Sequence, residues 1–145
     1  LYLAKLILAA GVSLLSQAVT GLLFVLSGKL AGLTAPLPPE LPGWLFFGAL
    51  SGVSVCALQL FLSLRIRSFA IPVAIALVGG IAGLMLTSQG LGYLFPYSLL
   101  CLGMRANNPT MALDLPLFLA GCAAYVLLFC LLSLWELSRR DVSAE

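Results

Sequence analysis

The sequence predicts an all-α fold, a polytopic transmembrane helical bundle of four spans with a short interfacial or re-entrant helix before the last span. Of its 145 residues, 62% are hydrophobic and only 8% are charged, whereas roughly a quarter of the residues in a soluble domain are charged. The mean hydropathy is +1.16. The few charged residues stand at the ends of apolar stretches, each about as long as a helix that crosses a bilayer. The composition therefore excludes an ordinary soluble domain and a disordered chain.

Charge and residue usage also exclude several classes of function. Seven Lys and Arg against five Asp and Glu leave a net charge of +2, too small for a basic nucleic-acid-binding protein. The chain has no histidine, which is the commonest general base and metal ligand. Its four cysteines form no CxxC pair, so we expect small hydrophobic side chains rather than disulfides or a metal site. They are Cys56, Cys101, Cys122 and Cys130.

The first span is bracketed by two lysines. Lys5 and Lys29 enclose an uncharged stretch, 6–28, which as a helix would reach about 34 Å and could cross a bilayer with some tilt. The following residues, 33–42, contain four prolines. Proline cannot continue a helix, so this part is predicted to be a loop.

The next two spans are separated by a short basic turn. The second is predicted at about 43–64 and stops before Arg65 and Arg67, and the third at about 69–86. The third is rich in glycine, but a segment in lipid must satisfy its own backbone hydrogen bonds, so a helix is still expected.

An outer segment, 87–114, precedes the last predicted span at about 115–134. It is too long for a simple turn and too interrupted by glycine and proline to be one membrane helix. We expect its 94–104 part to form a short interfacial or re-entrant helix, with an ordinary interfacial loop as the alternative. The candidate residues of this segment are Tyr93, Phe95, Pro96, Tyr97, Arg105 and Asn107.

The distribution of basic residues predicts the orientation. With four spans, one side holds Lys5, Arg65, Arg67, Arg139 and Arg140, and the other holds Lys29 and Arg105. The side richer in Lys and Arg is the cytoplasmic one by the positive-inside rule. Both termini are therefore expected in the cytoplasm.

Uncharged polar and small residues recur at helical spacing in the first two spans. They are Ser13, Gln17, Thr20 and Ser27 in the first and Gly48, Gly52, Gln59 and Ser63 in the second. One interpretation is a substrate path; the other, which we favour, is helix packing, because small and hydroxyl side chains let helices approach closely. Gly79 and Gly83 match GxxxG and are predicted to pack helices. The sequence contains none of the common catalytic motifs, so no catalytic residue is expected.

Two runs carry a family resemblance: RIRSFAIPVAIALVGGIAGL at 65–84 and GYLFPYSLLCLGMRANNP at 92–109. They resemble the permease subunits of type-2 ABC exporters, most closely the lantibiotic and bacitracin immunity branch. That family has six spans, and the four spans here match its last four. The resemblance, together with a first residue that is Leu1 rather than Met, implies a fragment that lacks two upstream spans.

The resemblance also implies partners and a role. It implies a separate ATP-binding subunit that holds ATP and Mg, with no cofactor in this chain, and a second permease chain, identical or different. The implied substrate is an amphipathic membrane-active peptide, exported from the lipid of a bacterial plasma membrane. The alternative is a non-transporting membrane scaffold or assembly protein, which the packing faces would serve equally well.

Overall fold

The computed structural model describes residues 1–105 and 113–142. Its described residues form helices and no strand, which confirms the predicted all-α fold. The elements are α1 (Tyr2–Leu30), α2 (Leu41–Arg65), α3 (Ala70–Ser88), a 3₁₀ turn (Gly92–Leu94), α4 (Pro96–Gly103) and α5 (Leu115–Val142). Four of them, α1, α2, α3 and α5, are long and apolar enough to cross a membrane. Each contains the corresponding predicted span almost entirely, and α5 continues beyond the predicted end at residue 134.

Two helices end at a glycine in the left-handed region. Gly32 follows α1 with a φ of 74°, and Gly90 follows α3 with a φ of 78°. In each case the next backbone N–H donates to a carbonyl of the last helical turn, that of Gly28 at 3.1 Å and that of Leu86 at 2.9 Å. These bonds satisfy carbonyls that the helix leaves unpaired. Gly28 and Gly32 have GxxxG spacing, but they belong to the end of α1. They do not mediate the packing of one helix against another.

Helix α2 is the centre of the bundle. It packs against α1, α4 and α5, whereas α3 touches it at few places. Its buried residues are all small: Gly48, Ala49, Ser51, Gly52, Ser54 and Ala57. Without a hydrophobic driving force between helices in lipid, such residues promote association because they let backbones approach closely.

Contacts along α2 give the helix directions. Ser13 on α1 donates to the Ala49 carbonyl at 3.3 Å, and the Cys56 thiol lies 3.8 Å from the Ala9 carbonyl, so α1 and α2 are antiparallel. The rings of Phe47 and Phe118 are 5.7 Å apart, and those of Phe61 and Phe129 are 6.1 Å apart, so α2 and α5 are parallel. One end of the bundle thus holds five basic residues, and we call it the basic end: Lys5, Arg65, Arg67, Arg139 and Arg140. The opposite end is the loop end.

Helix α4 turns back into the bundle, which favours the re-entrant alternative over the interfacial one. It lies between α2 and α3, with Tyr97 only 4% exposed and Leu99 fully buried. At its first turn Ser98 abuts Gly83 of α3, and at its last residue Gly103 abuts the Phe47 carbonyl of α2. The chain therefore leaves α3 at the loop end, turns back into the bundle, and returns over the eight residues of α4, a rise of about 12 Å.

An ion-pair cluster joins α2 and α5 at the basic end. Arg65 Nη1 lies 2.9 Å from Glu136 Oε2, and Arg140 Nη2 lies 3.5 Å from Glu136 Oε1. Arg140 also donates to the Leu64 carbonyl at 2.5 Å. The four-residue spacing of Glu136 and Arg140 allows an i,i+4 pair on any helix that contains them, whereas the bridge to Arg65 depends on which helices are neighbours.

Substituting one glycine of α3 should destabilise the fold while substituting its neighbour should not. A Cβ at Gly83 would lie 2.8 Å from the Ser98 backbone nitrogen, whereas a Cβ at Gly80 would meet no atom within 4 Å. We expect Gly83→Ala to lower the free energy of unfolding by about 1–3 kcal/mol, as overpacking does, and Gly80→Ala to be neutral or slightly stabilising. Thermal unfolding in mild detergent measures both. Equal effects at the two positions would contradict the close packing of α4 on α3.

The burial of α4 predicts a difference between two serine-to-cysteine variants. Ser98 is fully buried in α4, whereas Ser88 is exposed at the loop end of α3. In a background without the four native cysteines, we expect Ser88→Cys to react with a water-soluble maleimide and Ser98→Cys to react only after denaturation. Equal labelling of the two folded variants would place the segment at the surface and overturn the re-entrant arrangement.

Candidate functional site

The ring of Tyr97 joins α4 to α3. It lies on the two glycines of the third span: a Cβ at Gly79 would be 2.5 Å from Tyr97 Cε2, and a Cβ at Gly83 would be 3.0 Å from Tyr97 Cβ. The GxxxG spacing therefore makes a seat for an aromatic residue of the re-entrant helix. Phe95 packs beside it, with ring centroids 5.5 Å apart.

The hydroxyl of Tyr97 joins α4 to α2. It accepts a hydrogen bond from the side-chain amide of Gln59. Because the Tyr97 ring lies on α3, the helices α2, α3 and α4 meet at this one hydrogen-bonded pair of uncharged side chains.

Hydroxyl groups satisfy the backbone around this pair. Thr87 on α3 donates to the Gly83 carbonyl at 2.8 Å and lies 3.4 Å from the Ser98 carbonyl. Tyr125 on α5 donates to the Leu94 carbonyl at 2.6 Å. A non-helical backbone at membrane depth needs such partners because lipid supplies none.

An apolar groove opens between α2 and α3 on the basic-end side of Tyr97. It forms because α4 separates the two helices in the other half of the bundle. Its volume is about 560 Å³, within the range of about 300–1,000 Å³ that is common for small-molecule sites. The residues that define it include Leu58, Leu62, Ile75, Val78, Phe95 and Tyr97.

A second groove, which we call the basic-end groove, lies between α1, the end of α2 and the start of α3. Its volume is about 510 Å³. It is defined by apolar side chains along its length and by polar ones at its two ends, including Ala9, Gln59, Ser63, Arg67, Phe69 and Val73. Gln59 faces this groove and bonds Tyr97 in the apolar groove, so the Gln59–Tyr97 pair adjoins both.

Four of the predicted polar and small residues lie between α1 and α2. A Cβ at Gly52 would clash with the Ser13 hydroxyl, and a Cβ at Gly48 would lie 3.2 Å from the Gln17 amide. The Gln17 Nε2 donates to Met104 Sδ at 3.5 Å, and its Oε1 is buried without a partner among the described residues. These residues take part in helix packing and line neither groove.

The other predicted residues are dispersed. The hydroxyls of Thr20, Ser27 and Ser63 donate to carbonyls of their own helices at 2.8, 3.0 and 2.8 Å. Ser63 borders the basic-end groove. Ser27 lines a separate cavity between the end of α1 and the proline-rich loop, and Thr20 lines a small one between α1 and the start of α2.

In the outer segment, Pro96 begins α4, where its missing N–H is harmless. The Tyr93 hydroxyl accepts from the Asp114 backbone at 3.0 Å. Arg105 follows α4 with a φ of 53°. Asn107 lies outside the described residues.

The site has the chemistry of a binding surface. Within residues 1–105 and 113–142, no three His, Cys, Asp or Glu side chains are placed to hold a metal ion. The grooves offer apolar surface, one amide, hydroxyls and an arginine at one mouth. Sequence reasoning missed the pairing of Gln59 with Tyr97, although each residue was singled out separately, because nothing in their spacing links two elements 38 residues apart.

A double-mutant cycle should detect the pair. Tyr97→Phe keeps the ring on its glycine seat and removes the hydroxyl, and Gln59→Leu removes the amide. We expect a coupling free energy of unfolding of about 0.5–1.5 kcal/mol between the two substitutions, the net worth of one hydrogen bond. Thermal or denaturant unfolding of the two single variants and the double variant measures it. Strictly additive losses would mean that the two side chains do not interact.

Comparison with known proteins identifies the family. The model of the ABC-2 family transporter protein matches residues 1–83, which cover α1, α2 and most of α3. No curated protein and no solved structure matches the chain. The match covers more than half of the 145 residues and agrees with the resemblance of the 65–84 run to type-2 ABC permeases. The chain therefore belongs to the ABC-2 transporter family and is a membrane-spanning permease component of an ABC transporter.

Proposed function

We propose that this permease is the membrane half of an ATP-driven exporter that removes amphipathic, membrane-active peptides of the lantibiotic or bacitracin type from a bacterial plasma membrane. A separate subunit binds ATP and Mg and hydrolyses ATP, and a second permease chain completes the path. The observation that carries the proposal is the uncharged apolar groove beside the Tyr97–Gln59 pair.

The groove suits a molecule that arrives from the lipid. Its sides are apolar residues of α2 and α3, and the aromatic rings of Phe95 and Tyr97 lie at one end. No Asp, Glu, Lys or Arg lies in the middle of any span, where ion-coupled carriers and proton relays commonly place such groups. An amphipathic peptide with an apolar face is a better match to this surface than an ion.

The packing also suggests which element moves. Helix α2 is bound closely to α1 through small residues and to α5 through the Arg65–Glu136 ion pair. Helix α3 touches α2 at few places and is held mainly through α4. In the proposed mechanism, ATP binding on the partner favours one of two packings of α3 against α2, which opens or closes the groove.

The proposed orientation places the basic end in the cytoplasm. Five of the seven Lys and Arg residues lie there, which agrees with the positive-inside rule. Both termini are then cytoplasmic, and the ATP-binding partner meets the basic end.

The first test is to purify the protein from native membranes in mild detergent and identify its partners by mass spectrometry. We expect a P-loop ATPase in fixed proportion, with ATP hydrolysis raised by added lantibiotic or bacitracin. Recovery without an ATPase would overturn the exporter and favour the scaffold alternative. An ATPase that responds to neither peptide would refute the proposed substrate class.

A pair of tryptophan variants tests the groove. Val78 lines the apolar groove, whereas Leu77 is the adjacent residue of α3, similarly exposed, and lines no groove described above. We expect Val78→Trp to reduce peptide-stimulated ATP hydrolysis and peptide resistance several-fold by filling the groove, and Leu77→Trp to leave both unchanged. Equal activity of the two variants would exclude the groove as the peptide path.

A further inference from the structure

We propose that the basic-end groove binds an anionic phospholipid, with the lipid phosphate at Arg67 and an acyl chain between α1, α2 and α3. This site is separate from the apolar groove and does not depend on which substrate is exported.

The two arginines of the turn between α2 and α3 have different surroundings. Arg65 is paired with Glu136 of α5 at 2.9 Å. Arg67 is exposed and has no hydrogen-bond or ion-pair partner among the described residues. Its positive charge is therefore available to an anion.

Arg67 lies at the mouth of the groove. The Ser68 hydroxyl lies beside it and has no partner in the described part of the chain. Helix α3 begins directly after these residues, and its first turn has no side-chain cap. Free N–H groups and the positive end of the helix dipole add to the attraction for a negative group at this mouth.

The rest of the groove is suited to a hydrocarbon chain. Phe69, Val73 and Pro72 of the α3 side and Leu60 and Ala9 of the other side line it. A molecule with a phosphate at Arg67 and an alkyl chain along these residues would match both ends of the groove. A soluble anion would leave the apolar part empty, and a cationic peptide would be repelled at the mouth.

The position in the membrane favours a lipid. The predicted turn between the second and third spans lies where a helix leaves the hydrocarbon core, at the level of the headgroups. Anionic lipids attract juxtamembrane basic residues, and the groove adds a fixed place for one chain. A bound lipid would fill the space between α2 and α3 at the basic end, where the two helices touch at few places.

Native mass spectrometry of the purified protein tests the site. The protein is titrated with phosphatidylglycerol and, separately, with phosphatidylcholine of the same acyl chains. We expect phosphatidylglycerol to bind more tightly, and Arg67→Gln to weaken its binding about fivefold, the equivalent of about 1 kcal/mol for one cationic residue near the surface. The matched control is Arg139→Gln, which removes an exposed charge from α5 at the same end of the bundle.

A second variant tests the apolar part. Val73→Trp fills the groove, and Leu77→Trp places the same side chain outside it. We expect the first to reduce bound phosphatidylglycerol and the second to leave it unchanged.

Three results would overturn the proposal. They are equal binding of both lipids, equal losses in Arg67→Gln and Arg139→Gln, and full displacement by soluble glycerol phosphate, which would indicate a site for a free anion. No ATPase partner or peptide is present in this assay, so its outcome is independent of the export proposal.

Discussion

The bundle depends on one constraint: a polypeptide backbone inside a bilayer must find all its hydrogen-bond partners within the protein. The segment from Gly90 to Pro96 breaks the helical pattern at membrane depth. It can lie there because other elements supply hydrogen-bond partners, as the Tyr125 hydroxyl of α5 does for the Leu94 carbonyl. The position of α4 between α2 and α3 follows from this requirement. The two grooves follow in turn, because a helix inserted in one half of the bundle separates its neighbours in the other half.

Small residues make this arrangement possible. On α2 they let α1, α4 and α5 approach the same helix, and on α3 Gly79 and Gly83 receive the Tyr97 ring. In water these glycines would weaken a helix. In lipid they create the contact surface, because close van der Waals packing replaces the hydrophobic effect as the force between helices. The serine hydroxyls of the interior bond mostly to carbonyls, so they add polar groups to the core without leaving many of them unpaired.

The four membrane helices could be predicted from the sequence because their length and end charges are local properties. The i,i+4 pair of Glu136 and Arg140 was predictable for the same reason. Which helix packs against each face of a membrane helix could not be predicted. A soluble helix shows its buried side as an apolar stripe, but here both sides of α1 and α3 are apolar, since one faces protein and the other lipid. The sequence therefore marked Gly79 and Gly83 as packing residues without indicating that Tyr97 is what they pack against. Likewise, the sequence allowed either an interfacial or a re-entrant position for α4. Aromatic residues beside a proline are compatible with both positions.

The weak direct contact between α3 and α2 has a consequence for synthesis. Chains are made from the N-terminus, so α1 and α2 can pair as soon as both have left the ribosome. Helix α3 follows them, but its main partner, α4, is made only after the connecting segment that begins behind Ser88. During that interval Gly79 and Gly83 face lipid or the insertion machinery, because the Tyr97 ring that covers them has not yet been made. Assembly of these four spans is therefore ordered: the α1–α2 hairpin can form before α3 is fixed, and α3 becomes fixed only when the chain turns back into the bundle.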